Sequence, residues 1–241
     1  MKYEYKFRIG LKDIGIDGGC RNKSILGFLE DTAGFHSDFA GAGISKLNED
    51  NATWVILEWK VEVISRPKYG EEVVVQTWSK HPKKYYAYRD FKIIDKDGRV
   101  LVIATSKWAL IDFLSGSIKT ISEDMMSKYQ PEDENVFESN EIKKQSELDT
   151  YEYSKIFEVS RNCIDVNRHM NNIHFLDFVY DTIPIEEFEK SDFKNLRITY
   201  KNEIKYGNIV KSFYGKQEDK CIVVLKDEQE SKVYSIIELR R

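Results

Sequence analysis

The chain has 241 residues, a length that suggests one large domain or two of ordinary size. Hydrophobic residues make up 41% and aromatic residues 13%, which is enough for a substantial core. A net charge of −4 gives no overall basic bias toward nucleic acid. No apolar stretch approaches the length of a membrane span, so the composition favours a globular protein.

The N-terminus and the cysteines predict a cytoplasmic protein. The segment Met1–Phe7 alternates like a strand and lacks the apolar core of a signal peptide or the character of a transit peptide. Cys20, Cys163 and Cys221 show no metal-ligand spacing and cannot all pair with one another. We therefore expect three reduced, buried thiols.

The first half of the chain predicts one helix followed by strands. Apolar residues from Ile25 to Ala40 recur at helical spacing, and Gly41 and Gly43 end the pattern. The strands that follow are predicted at Val55–Val63, Glu71–Trp78, Tyr85–Ile94 and Val100–Asp112. A hairpin signal, Asp95–Gly98, separates the last two strands.

The second half predicts the same order of elements. An apolar stripe from Ile173 to Ile183 predicts a helix, which Pro184 ends. The predicted strands are Tyr153–Val159, Leu196–Ile204, Ile209–Tyr214, Cys221–Lys226 and Val233–Leu239. One helix and about five strands per half are typical of an antiparallel sheet wrapped on a helix, an α+β fold. The segment 122–150 is polar, charge-rich and aperiodic, and is predicted to be a linker between 1–121 and 151–241.

The two halves also share short sequences. Ile16-Asp17 matches Ile164-Asp165 before each predicted helix, at an offset of 148 (165 minus 17). The segment Lys68–Gly70 matches Lys205–Gly207 before a later strand, at an offset of 137 (205 minus 68). Two matches in the same order indicate an internal repeat.

A cluster of polar residues precedes the second predicted helix, in the stretch Asp165–Asn172 (DVNRHMNN). Asp165, Asn167 and His169 alternate, so an extended backbone would point all three side chains the same way. A carboxylate, an amide and an imidazole in one place can orient water and stabilise a charged oxygen. The plainer interpretation is that Asn171 or Asn172 caps the helix and that the histidine is structural. The combination within a repeated unit favours a site.

This stretch resembles the Asp-x-Asn-x-His-x-Asn-Asn motif of the acyl-ACP thioesterases, enzymes that release fatty acids from acyl carrier protein. In that family a Glu-Cys pair follows in a strand, and Thr199–Ile204 (TYKNEI) occupies the matching place here. The segments Ser24–Ala33, Thr53–Ile56 and Tyr69–Val73 also resemble the family's first helix and the strands after it. The resemblance covers nearly the whole chain and implies a tandem hotdog fold.

The resemblance implies a catalytic group of Asp165, Asn167, His169 and Glu203. The cysteine position holds Ile204, a departure that removes any thiol nucleophile there. Glu203 would deprotonate the attacking water with help from His169, although the division of the base role between them stays open. Asn167, or a backbone N–H at the start of the second helix, would stabilise the oxyanion. Asp165 would orient the amide or the imidazole.

The reaction needs no metal or organic cofactor, because a thiolate is a good leaving group. In this repeat alignment Arg21 takes the place of His169, so the first half would hold the acyl chain. Gly27, Ala33, Gly34 and the strand Trp54–Leu57 are candidates for its lining, and ordinary core packing is the equally good alternative. The implied partner is acidic acyl carrier protein, guided by a local basic patch. A monomer could suffice, and a homodimer is equally open.

Three other functions fit the same sequence. An acyl-CoA thioesterase would share the fold and the pantetheine arm of the substrate. A hotdog dehydratase or hydratase would also use a histidine and an acid, although the motif with its distant Glu203 argues against it. A non-catalytic acyl-binding module would account for Ile204. Fold similarity alone does not choose among them.

Overall fold

The computed structural model describes residues 1–43, 46, 49, 51–138, 142, 144–190 and 193–241. These residues form two compact units, Met1–Ile142 and Lys143–Arg241. The division between the units falls inside the predicted linker. Among the described residues, no helix combines the length and apolar character needed to cross a membrane.

The first unit is an antiparallel sheet with one long helix. Its strands are β1 (Tyr3–Arg8), β2 (Ala52–Val63), β3 (Glu72–Ser79), β4 (Tyr86–Asp95), β5 (Val100–Asp112) and β6 (Ile118–Lys119). The strand order is β1-β3-β4-β5-β2, with β6 paired to β5. The helix α1 (Asn22–Phe39) ends near Gly41, as its sequence predicts.

Helix α1 buries one face against this sheet. Ile25, Leu26 and Leu29 are each almost fully buried, and Thr32 and His36 continue the same stripe. The register of the sheet sets Arg89 opposite Ser106, and the Arg89 guanidinium reaches His36 on the helix. The interior is therefore apolar near the start of α1 and polar near its end.

Part of the predicted linker belongs to the first unit. A short helix α2 (Glu123–Ser127) begins at Ser122, whose side chain accepts a hydrogen bond from the Met125 N–H. Met126 and Tyr129 are buried in a cluster with Ala52 and other residues of the sheet. Two isolated apolar residues anchor this segment, and such anchors leave no periodic signal in the sequence. The domain limits proposed from the sequence stay predictions.

The second unit repeats the plan. Its strands are β7 (Tyr153–Glu158), β8 (Asn195–Tyr200), β9 (Ile209–Gln217), β10 (Lys220–Asp227) and β11 (Val233–Arg240), in the order β8-β11-β10-β9-β7. Its helices are α3 (Phe175–Thr182) and the single turn α4 (Ile185–Phe188), separated by Ile183 and Pro184. Phe175, Leu176 and Val179 of α3 are buried in this unit.

Among the boundaries that differ from those predicted, two lie next to the motif segments. A 3-10 turn, Asn172–His174, comes before α3, so the α-helix is shorter than its apolar stripe suggests. Strand β8 ends at Tyr200 rather than at Ile204. The N–H groups of Lys201 and Asn202 both donate to the Tyr234 carbonyl, at 2.8 and 3.3 Å, which ends the regular ladder.

Candidate functional site

The residues Ile164–Met170 form a tight hairpin rather than an extended strand. Ile164 and Met170 pair as an antiparallel bridge. The Asp165 N–H donates to the His169 carbonyl at 2.8 Å, and the Arg168 N–H donates to the Asp165 carbonyl at 3.0 Å. The expected alternation of side chains on an extended backbone was therefore wrong, because backbone hydrogen bonds close this segment into a turn.

The Asp165 side chain supports this turn from within. Its Oδ1 accepts hydrogen bonds from the backbone N–H of Asn167 at 2.8 Å and of His169 at 3.2 Å. The sequence suggested that Asp165 orients the amide or the imidazole directly. The structure instead shows its carboxylate holding the backbone that carries both side chains.

A loop after β8 meets this hairpin. The Met170 N–H donates to the Ile204 carbonyl at 2.7 Å, which fixes the loop beside the hairpin. This contact follows directly after His169 in one segment and after Glu203 in the other. Two segments distant in sequence are thus joined next to the two residues that the motif singles out.

His169 and Glu203 form the central contact of the candidate site. His169 Nε2 lies 3.0 Å from Glu203 Oε2, and their side chains are 32% and 50% exposed. The other carboxylate oxygen, Oε1, lies 3.2 Å from Lys205 Nζ. An imidazole paired with a carboxylate that water can reach is able to accept and return a proton.

Of the remaining polar residues of the motif, Asn167 faces solvent and Asn171 supports the local backbone. Asn167 is exposed at the turn, and among the described residues its carboxamide makes no hydrogen bond to Asp165, His169 or Glu203. Asn171 caps the following 3-10 turn, as the plainer interpretation expected. Its Oδ1 accepts from the Ile173 N–H at 3.1 Å, and its carbonyl accepts from the His174 N–H at 3.0 Å. Those two amides are already engaged and are not available to an oxyanion.

The position of the family cysteine is buried. Ile204 is fully buried, so this side chain contributes packing and its carbonyl holds the hairpin. Cys163 lies two residues before Asp165, but its Sγ contacts the Ser160 Oγ at 3.4 Å. Neither residue provides a thiol to the His169–Glu203 pair.

The first unit contains the same hairpin at a different register from that predicted. Ile14 pairs with Cys20 as Ile164 pairs with Met170, an offset of 150 (164 minus 14) rather than 148. The Cys20 N–H donates to the Pro67 carbonyl at 2.8 Å, in the same way that Met170 bonds Ile204. The shared Ile-Asp pair misled the sequence alignment, because hydrogen bonding and not residue identity defines the equivalent positions.

This register changes which residues of the first unit are equivalent to His169 and Glu203. Gly19 takes the place of His169, and Arg66 takes the place of Glu203. The Arg66 guanidinium donates to the Cys20 carbonyl at 2.6 Å and to Asn22 Oδ1 at 3.0 Å. A Cβ on Gly19 would lie 2.9 Å from the Arg66 side chain, so this glycine leaves room for the arginine. In the first unit, therefore, Arg66 holds the hairpin through hydrogen bonds, whereas in the second unit the equivalent residue, Glu203, contacts His169.

Lys205 was missed by sequence reasoning. It belongs to the Lys-Tyr-Gly repeat that marks both halves, so it was interpreted only as a sign of duplication. Its position two residues after Glu203 is the signal that could have identified the ion pair.

Two models of known protein families match most of this chain. Residues 1–129 match the Acyl-ACP thioesterase N-terminal domain, and residues 146–238 match the Acyl-ACP thioesterase C-terminal domain. The chain belongs to the acyl-ACP thioesterase family. The resemblance inferred from the motif is confirmed.

The relatives of this member of the thioesterase family include plant enzymes. It is 23% identical to the oleoyl-acyl carrier protein thioesterase of Coriandrum sativum, over 94% of this chain and 66% of the relative. It is also 23% identical to the palmitoyl-acyl carrier protein thioesterase of Arabidopsis thaliana, over 88% of this chain and 54% of the relative. The chain thus spans between about half and two-thirds of the length of these relatives.

Solved structures of acyl-ACP thioesterases share the fold. An acyl-ACP thioesterase from Bacteroides thetaiotaomicron is similar with a TM-score of 0.89 and 24% identity, covering 99% of this chain and 97% of the other. A 12:0-ACP thioesterase from Umbellularia californica gives a TM-score of 0.89 and 21% identity, with 99% and 96% covered. The predicted tandem hotdog fold is confirmed.

Proposed function

We propose that this chain hydrolyses the thioester of fatty acyl-[acyl carrier protein] and releases a free fatty acid. The observation that carries the proposal is the 3.0 Å contact between His169 Nε2 and Glu203 Oε2, made in a member of this family. A cytoplasmic location and the carrier protein as partner belong to the same proposal.

The pair supplies acid–base chemistry for attack by water. Glu203 accepts a proton from a water molecule as the water oxygen bonds to the thioester carbonyl carbon. Collapse of the tetrahedral intermediate breaks the C–S bond, and the proton passes through His169 to the departing sulfur. Water and thioester thus become a carboxylic acid and a thiol.

The neighbouring residues set the geometry of this reaction. We assign stabilisation of the developing oxyanion to the exposed Asn167 carboxamide, because the backbone amides of Ile173 and His174 already donate to Asn171. Asp165 holds the turn that presents Asn167 and His169. Since Ile204 is buried and apolar, water and not a thiol at this position is the nucleophile.

The first unit is proposed to hold the acyl chain beside α1. Among the predicted lining residues, Gly27 and Gly34 front open space, because a Cβ built at either position meets nothing within 4 Å. Ala33 is 4% exposed and belongs to the core. We therefore assign the lining role to the side of α1 that carries Gly27 and Gly34.

The test is release of free thiol from a panel of acyl-ACPs, with acyl-CoA measured in parallel. We expect Glu203→Gln and His169→Ala each to lower kcat by roughly 100-fold or more. Glu230→Gln is a matched control, because Glu230 is 47% exposed and pairs with Lys211 at 2.8 Å in the same unit. His81→Ala, at a histidine 69% exposed in the first unit, is the control for His169.

The outcomes separate the competing functions. Full turnover by both folded variants would remove the pair from the mechanism. No turnover of any acyl-ACP by the unmutated chain would overturn the proposed reaction. Faster turnover of acyl-CoA than of acyl-ACP would identify acyl-CoA as the substrate.

A further inference from the structure

Arg168 adopts a backbone conformation that favours glycine. Its φ is 63°, in the left-handed region that side chains with a Cβ adopt reluctantly. The equivalent residue of the first unit, by the hairpin register, is Gly18, with a φ of 75°. The second unit therefore keeps an arginine where the same turn in the first unit uses glycine. A strained residue beside a candidate site suggests that its side chain has a function.

Arg168 is one of four exposed cations in the two segments that carry His169 and Glu203. We call this group the basic rim; its members are Arg161, Arg168, Lys201 and Lys205. The acidic residues of the two segments 161–169 and 201–205 are Asp165 and Glu203. The Asp165 carboxylate accepts hydrogen bonds from the backbone of its own turn, and the Glu203 carboxylate contacts His169 and Lys205. The site is therefore locally positive in a chain whose net charge is −4.

Contacts between the two segments hold part of this rim in place. The Arg161 guanidinium lies over the Tyr206 ring at 5.3 Å, and its Nε donates to the Tyr206 hydroxyl at 3.3 Å. Lys205 is held by its ion pair with Glu203. Stacked and paired cations lose less side-chain freedom on binding a partner than unrestrained ones do.

Exposed apolar surface accompanies the basic rim in the same two loops. Val166, two residues before Arg168 in the same turn, is 82% exposed, and Tyr206 is 53% exposed. Exposed apolar and aromatic residues among arginines are characteristic of protein–protein contacts. A small anion such as a free phosphate would make no use of the Val166 side chain.

We propose that the basic rim is the docking surface for the acidic carrier protein that delivers the acyl chain, and that Arg168 contacts that protein. This inference rests on the proposed thioesterase function and names the residues that recognise its partner. Complementary charge accelerates the encounter and fixes its register. The exposed Val166 side chain then packs on the carrier beside the thioester arm.

The experiment compares substrates that share one acyl group but differ in the carrier. Acyl-ACP, acyl-CoA and acyl-pantetheine are assayed with Arg168→Glu and Arg168→Gly. For acyl-ACP we expect kcat/KM to fall about tenfold in Arg168→Gly and about 100-fold in Arg168→Glu, with a weaker salt dependence. Acyl-pantetheine turnover should stay within about threefold for both variants, because the catalytic pair is intact.

Lys84 offers a matched control, since it is also a cation at a positive φ, of 50°, in the first unit. Lys84→Gly and Lys84→Glu should leave acyl-ACP turnover unchanged. Arg168→Gly should keep or raise the melting temperature, which separates lost docking from lost folding.

Each alternative outcome is decisive. Equal acyl-ACP turnover in Arg168→Glu and the unmutated chain would overturn the docking proposal while leaving the thioesterase function intact. An equal loss with acyl-CoA and acyl-ACP would assign Arg168 to a phosphate instead of the carrier protein. No turnover of any of the three thioesters by the unmutated chain would contradict the proposed function itself.

Discussion

Asp165 stabilises the hairpin of the candidate site through backbone contacts. One carboxylate oxygen accepts two backbone N–H groups, from Asn167 and His169. A side-chain oxygen that closes its own turn in this way is common for Asp and Asn. We therefore expect the acceptor oxygen of Asp165 to matter more than its negative charge for the placement of Asn167 and His169.

This view of Asp165 predicts a difference between two substitutions. Asp165→Asn keeps an acceptor oxygen, so kcat on acyl-ACP should stay within about fivefold of the unmutated value. Asp165→Ala leaves both amides without their partner, which should cost about 1–2 kcal/mol of stability. Misplacement of His169 should also lower kcat by about 100-fold. Steady-state kinetics and melting temperatures give both quantities; a large loss in Asp165→Asn would instead assign a direct role to the charge.

Helix α1 separates a packed face from an open one. Its buried stripe, which includes Ile25, Leu29 and His36, packs in the core of the first unit. A Cβ built at Gly27 or at Gly34, one heptad later, meets no atom within 4 Å. The helix thus leaves space along one side, which an acyl chain could fill.

Filling this space should change the preferred acyl chain length. Gly27→Leu should move the preference for acyl-ACPs toward shorter chains, because its side chain occupies the open side of α1. Gly27→Ala is the control: it should add about 1 kcal/mol of stability through helix propensity without changing the preference. The measurement is kcat/KM across a chain-length panel, and an unchanged profile in a folded Gly27→Leu protein would exclude this lining role.

Much of the element order could be predicted from the sequence, and the hairpin could not. Helical and alternating periodicities predicted α1 and most strands, since each buries one face. The Asp165–His169 turn was missed because its alternating pattern is also that of a strand. The register of the repeat was missed because it is defined by backbone bonds, such as that from Cys20 to Pro67, which residue identity does not report.

The candidate pair could be anticipated only through resemblance. His169 and Glu203 are far apart in sequence, and no local pattern brings them together. The ion pair of Lys205 with Glu203 depends on how two loops meet, and so does the hydrogen bond from Arg66 to the Cys20 carbonyl. These contacts follow from tertiary packing, which composition and spacing do not determine.

The two units differ in the groups that respond to acid. In the first, burial beside the Arg89 guanidinium lowers the pKa of His36 to about 3. His36 accepts from Arg89 at 2.7 Å and packs between the rings of Tyr3 and Tyr129. In the second, hydrogen bonds from Lys190 and Lys216 lower the pKa of Glu187 to about 2. Both groups resist protonation in the folded chain, but over different ranges of pH.

Acidification should therefore destabilise the first unit before the second. Unfolded histidine binds a proton below about pH 6.5, whereas folded His36 does not, so its stability is present above that pH and lost toward pH 3. At pH 5 the loss from His36 is about 2 kcal/mol, and that from Glu187 is close to zero. Glu187 stabilises the second unit above about pH 4.5, and this stability is lost only below that pH, where unfolded glutamate is protonated but the folded group is not.

The sequence provides a separate probe for this difference. All four tryptophans, Trp54, Trp59, Trp78 and Trp108, lie in the first unit, so their fluorescence reports that unit alone. Thermal unfolding at pH 5 should show the fluorescence transition at a lower temperature than the far-UV circular dichroism transition, and the difference should be smaller at pH 7.5. In His36→Asn, whose side-chain oxygen can still accept from Arg89, the fluorescence midpoint should lose most of its dependence on pH between 6.5 and 4.5. Coincident transitions at both pH values, or an unaltered pH dependence in His36→Asn, would show that this histidine does not control the acid response of the first unit.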